Sequence, residues 1–191
     1  MKVIWKVLAV VALAAYPLLV FAGISSFGAR PMALVLLALL GLRFFLPGLP
    51  SRAAPAFIVL VALVVVAPTL WFDRADYLRF YPVLMNIAMF GLFASSLLAG
   101  QTIIEKIARV SDPALSAAGV RYTRHVTQVW CVFFILNASI AFYTAIACRF
   151  ATWALYNGLV AYGLMGLLFA AEYGVRRIFR RNERLAQTES P

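Results

Sequence analysis

Arg121-Tyr122-Thr123-Arg124-His125 leads into Val126-Thr127-Gln128-Val129-Trp130-Cys131-Val132-Phe133-Phe134-Ile135-Leu136-Asn137, a run that stays apolar to about residue 148. After a short polar break, a second run opens at Trp153-Ala154-Leu155-Tyr156-Asn157-Gly158-Leu159. It closes on Glu172-Tyr173-Gly174-Val175-Arg176-Arg177. Each run has about the 20 residues that a helix needs to cross roughly 30 Å of hydrocarbon. Basic residues stand at both outer ends of the pair. The two runs read as a helical hairpin in a bilayer, with Arg121, Arg124, Arg176 and Arg177 as cytoplasmic anchors.

The same pattern extends over the whole chain. Of 191 residues, 64% are hydrophobic and only 13% charged, with a mean hydropathy of +0.92. A water-soluble fold has no core that could hide so many uninterrupted apolar stretches. The predicted fold class is all-α, a polytopic transmembrane helical bundle of six spans. The spans fall at about residues 5–24, 32–46, 54–72, 80–100, 126–148 and 153–174, within one domain over 1–175. Residues 176–191 form a basic cytoplasmic tail, whose last part from Leu185 is expected to be disordered. The first run also has features of a signal peptide: Lys2, an apolar core and Val20-Phe21-Ala22. Its length and the Tyr16-Pro17 interruption favour a retained span.

Between spans four and five lies an amphipathic stretch, at about residues 102–111. Ile103, Ile104, Ile107, Ala108 and Val110 fall on one arc of a helical wheel, with Glu105, Lys106, Arg109 and Asp112 on the other. Such a helix lies at headgroup level. Turns are marked by Ser25 to Pro31, by Pro47-Gly48-Leu49-Pro50 and by Asp73-Arg74-Ala75-Asp76-Tyr77-Leu78-Arg79.

The net charge of +10 sits at the ends of spans and does not form a patch for nucleic acid. Six spans put both termini on one side with 13 basic residues. The other side keeps 4: Arg30, Arg74, Arg79 and Arg149. That bias orients both termini to the cytoplasm.

Catalytic patterns are not found. The sequence holds no phosphate-binding glycine loop, no HExxH, no GxSxG and no paired intramembrane carboxylates. His125 is the lone histidine, and Cys131 and Cys148 fall about 25 Å apart on one helix, too far to bridge. No metal or cofactor is expected, and no enzymatic activity. The lack of a charge at mid-span weighs against ion-coupled transport.

The polar groups at membrane depth are amides. Asn86, Asn137 and Asn157 lie in three different spans. Thr127, Cys131, Asn137, Ala138, Ala141, Thr144, Ala145 and Cys148 share one face of the fifth. In the sixth, Gly158, Tyr162, Gly166, Ala170 and Gly174 recur every fourth residue, a small-residue seam that would pack the last two spans together. Two roles are open for Asn86, Asn137, Tyr156 and Asn157: helix-to-helix contacts, or a polar groove for a headgroup or a polyene tail.

The blocks Phe80-Tyr81-Pro82-Val83-Leu84-Met85-Asn86, Arg121-Tyr122-Thr123-Arg124 and Leu155-Tyr156-Asn157-Gly158-Leu159-Val160-Ala161-Tyr162 are similar to inner-membrane proteins encoded in aryl-polyene (xanthomonadin-like) pigment clusters. More distantly, Leu70-Trp71-Phe72-Asp73-Arg74, Ile103-Ile104-Glu105-Lys106-Ile107-Ala108 and Trp130-Cys131-Val132-Phe133-Phe134-Ile135 resemble the intracellular septation protein A family. The resemblance implies a role in envelope building and assigns no catalytic residue. The expected function is assistance in assembling or moving an envelope lipid. A division and cell-wall scaffold, or a small lipid or solute transporter, are the alternatives. Expected partners are membrane lipids, other envelope-biogenesis or division proteins and a second copy of the chain.

Overall fold

The computed structural model describes residues 16–42 and 59–189, and among these there are helices joined by short connections and no strand. Two short helices come first, α1 (Tyr16–Phe27) and α2 (Ala29–Leu42). α3 (Val59–Phe72) follows. A 3-10 turn (Ala75–Phe80) leads into α4 (Tyr81–Leu98). Then come α5 (Ile103–Ser111) and α6 (Ala117–Ala147). The last helix, α7, begins as Phe150–Leu155, widens through a π turn at Tyr156–Val160 and runs on as Ala161–Glu189. Among the described residues, three stretches are long and apolar enough to cross a membrane: Ala75–Leu98, Ala117–Ala147 and Phe150–Phe179.

Local chemistry explains the boundaries. Gly28, at a φ of 82°, lets the chain turn between α1 and α2, and Pro31 sits in the first turn of α2, where its missing N–H costs little. In α3 a π turn over Ala62–Val66 directly precedes Pro68. Proline has no N–H to offer, and its ring collides with the carbonyl four residues back, so the ladder widens there. Thr69 Oγ1 satisfies the Val65 carbonyl at 2.6 Å. Gly100, at a φ of 83°, breaks α4 from α5. Thr102 caps α5 by accepting from the Glu105 N–H, and Ser116 caps α6 by accepting from the Gly119 N–H.

Several boundaries differ from those expected. The Ser25–Pro31 turn shrinks to Gly28 alone. α6 starts at Ala117 and not at 126, so Arg121 to His125 are already helical. The cap at Ser116 sets that start; hydropathy does not report it. The stretch from Leu185, expected to be disordered, continues α7 to Glu189 with no breaker to stop it. Residues 5–15, 43–46 and 54–58 of the first three expected spans lie outside the described residues, as do the Pro47–Pro50 turn and the start of the possible signal peptide.

The helices build two cores stacked along α4 and α6. One gathers Leu36, Val61, Val65, Leu78 and Trp153, where α1, α2 and α3 meet the start of α7. The other joins Phe93 to Trp130, Cys131 and Phe134, with Phe93 edge-on to Phe134 at 5.2 Å. The buried face of α6 carries Thr127, Cys131, Asn137, Ala141, Thr144 and Ala145, and its main partner is α4. Large apolar side chains such as Val132, Leu136, Ile146 and Leu167 stand exposed on the other faces. That surface suits a hydrocarbon solvent.

The small-residue seam does not join the last two helices. A Cβ added at Gly166 or Gly174 would meet nothing within 4 Å, and Ala170 is exposed too. Gly158 alone is half-buried. α7 instead leans on the bundle through Met165, Leu168 and Phe169, side chains that bury more apolar area than glycines can.

Candidate functional site

Asn86, Asn137 and Tyr156 come together in one chain of hydrogen bonds across α4, α6 and α7. Tyr156 OH donates to Asn137 Oδ1 at 2.7 Å. Asn137 Nδ2 donates to Asn86 Oδ1 at 2.9 Å. Asn86 Nδ2 then donates to the Pro82 carbonyl at 2.8 Å, one turn back on its own helix. Each amide is thereby oriented by its neighbours.

Asn157 stands beside this relay on the π turn of α7. Its Nδ2 donates to the Trp153 carbonyl at 2.9 Å and to Thr144 Oγ1 at 3.2 Å. The Thr144 hydroxyl in turn donates to the Ala141 carbonyl at 2.9 Å. Asn157 is 4% exposed, and its Oδ1 has no hydrogen-bond partner among the described residues. The π turn inserts one extra residue per turn, which lets both Tyr156 and Asn157 face α6; such turns recur at functional positions.

Asn86, Asn137 and Asn157 form the polar part of a groove of about 340 Å³ between α4, α6 and α7. Tyr81, Pro82 and Tyr162 lie on its wall near the amides. Farther along, Met85, Met89, Phe93, Trp130, Phe134 and Phe169 make an apolar wall. Ile104 and Ile107 of α5 line the far part. From Tyr81 to Phe93 the groove follows α4 for about 18 Å at 1.5 Å per residue. Its size is near the lower limit for small-ligand sites, about 300–1,000 Å³.

α5 is tied down at its start, where the Ile103 N–H donates to Ser96 Oγ at 3.2 Å. Its two faces do not separate as the helical wheel predicts, although Lys106 is exposed. Glu105 is buried and paired with Arg109 at 2.9 Å, while Ile107 and Val110 are exposed. The anchoring arginines lie at the opposite end of α6 and α7 from the amides. Arg121, Arg124 and Arg177 are exposed and Arg176 is half-buried. Nearby, Tyr122 stacks on Phe179 at 4.9 Å, and the His125 ring donates from Nδ1 to the Arg121 carbonyl at 2.9 Å.

Arg79 is the functional-looking group that sequence reasoning passes over. It falls in a loop whose charges nearly cancel, yet it is only 9% exposed. Its guanidinium donates to the Thr144 and Cys148 carbonyls, both at 2.6 Å, and lies 5.9 Å from the Phe150 ring centre. A cation there caps the carbonyl end of α6. Trp153 Nε1 donates to the Arg79 carbonyl at 3.0 Å, which completes the clamp. The only sequence signal was its place between Leu78 and Phe80 at the mouth of an apolar run.

No family model, curated protein or solved structure matches the chain.

Proposed function

We propose that this chain is a non-enzymatic integral membrane protein of the bacterial inner membrane. It assists cell-envelope biogenesis by holding an amphiphilic lipid in the groove between α4, α6 and α7. An aryl-polyene-type lipid is the class that the sequence resemblance implies. One observation carries this reading: the groove joins buried amides to an apolar wall of methionines and aromatic rings. That division matches a molecule with a small polar head and a long apolar body. The groups on offer are amides, phenols and apolar surface, which hold a ligand in place. In the membrane we propose six spans with both termini cytoplasmic and α5 at headgroup level, its exposed Ile107 and Val110 meeting the acyl chains.

The test is genetic and chemical together. Deleting the gene is expected to deplete a pigmented or polyene fraction from lipid extracts. Wild-type protein restores it. Asn86→Leu and Asn157→Leu proteins that accumulate normally are expected to fail. Unchanged lipid extracts with filamentous cells would replace this reading with a division scaffold.

A further inference from the structure

We infer that the arginines at the shared end of α6 and α7 seat the phosphate of an anionic phospholipid, a lipid contact separate from the groove. Tyr122 fixes the geometry. Its ring stacks on Phe179 at 4.9 Å, and its hydroxyl donates to the Glu172 carbonyl at 3.3 Å. Position 122 of α6 is thereby held level with residues 172–179 of α7. Arg121 and Arg124 therefore stand at the height of Arg176, Arg177 and Arg181. α7 is still helical there. At 100° per residue, positions 176, 177, 180, 181 and 184, all arginine, fall within an arc of about 140°. Val175 and Ile178 lie off that arc, and both are exposed.

These charges are unmatched within the chain. α6 carries no acidic residue, and Glu172 is the one carboxylate of α7 before Glu183. Among the described residues, Arg121, Arg124, Arg176, Arg177 and Arg181 enter no ion pair and donate no side-chain hydrogen bond. Arg30, Arg74 and Arg109, by contrast, each hold a carboxylate. The unmatched group also sits at a telling height. The apolar stretch of α7 ends at Phe179, among these arginines, which is where a bilayer keeps its phosphates. A guanidinium grips a phosphate through two parallel N–H bonds. A choline head brings its own cation into the cluster, and an anionic head does not. Free phosphate offers the same oxygens, but exposed Val175 and Ile178 favour a phosphate that arrives with acyl chains.

Spin-labelled lipids report the contact, because an acyl chain held against a protein moves slowly. The full chain is reconstituted in phosphatidylcholine bilayers with a trace of chain-labelled phosphatidylglycerol or chain-labelled phosphatidylcholine. Electron spin resonance then measures the immobilised share of each. Phosphatidylglycerol is expected to associate about three- to tenfold more strongly, a preference that fades as salt rises from about 20 mM to about 500 mM. Arg121→Gln/Arg124→Gln and Arg176→Gln/Arg177→Gln should each remove most of the preference. Arg74→Gln, at the other end of the bundle, should leave it. Millimolar inorganic phosphate at constant ionic strength should leave it too; a loss there assigns the arginines to free phosphate and overturns the lipid seat. Equal immobilisation of the two lipids, or a preference that survives either double variant, also overturns it. If a variant does not accumulate, wild type at high salt decides alone: a preference that persists there is not held by exposed charges, and the inference falls. The groove reading is untouched by any of these results.

Discussion

Asn137 binds two neighbours on two other helices, and Tyr156 binds only one. Inter-helix side-chain hydrogen bonds in membranes average about 0.6 kcal/mol and reach about 1.7 kcal/mol. Asn137→Leu is therefore expected to cost about twice what Tyr156→Phe costs, read as unfolding of the purified chain in SDS titrations; an equal or reversed order would mean that the relay is not the structural unit. Arg79 makes a sharper case. Removing its guanidinium leaves two carbonyls at the end of α6 without their donor. Arg79→Met is expected to cost about 1–3 kcal/mol, with Arg79→Lys recovering part of it. Asp76→Ala breaks the exposed 3.0 Å pair with Arg74 and removes a longer-range attraction to Arg79, and should stay under about 1 kcal/mol. At this scale the amides were legible, because a carboxamide inside an apolar run stands out by composition alone. Their mutual bonding was not, since it depends on the rotation of three helices. Nor was Arg79, whose burial follows from the 3-10 turn that carries it under α6.

Helices could be read from the length of apolar runs, and α4 and α7 begin within a few residues of where those runs start. The packing partners could not. Small residues on α7 suggested a close pair, but close approach needs a facing helix of matching shape, and α6 turns its own small face to α4. The π turn of α7 was equally hidden, as no proline marks it. That turn has a testable role. Deleting Val160 would return the ladder to regular α-helix and rotate everything beyond it by about 100°. Phe169 would leave the Trp130 ring, now 4.6 Å away. The expected outcome is a chain that still inserts but whose Trp130 emission, taken as wild type minus Trp130→Phe, shifts. An unchanged difference spectrum would show that the extra residue in the turn does not set the register.

For the molecule as a whole, the Arg79 bond to the Cys148 carbonyl puts the connection before α4 and the connection before α7 at the same end of the bundle. Reporters fused at Asp76 and at Arg149 should therefore agree with each other whatever the number of spans. The imbalance of basic residues further predicts that both read periplasmic. Disagreement between the two would contradict the fold, and a shared cytoplasmic signal would invert the orientation alone. One last dimension has a practical outcome. Helix α7, from Phe150 to Glu189, measures about 60 Å at 1.5 Å per residue, and a hydrocarbon layer takes up only about 30 Å of that. Unless it tilts steeply, half of this rod stands clear of the lipid like a mast. A dye mounted on its final turn would ride a few nanometres above the phosphates, beyond the touch of nitroxides dissolved among the acyl chains.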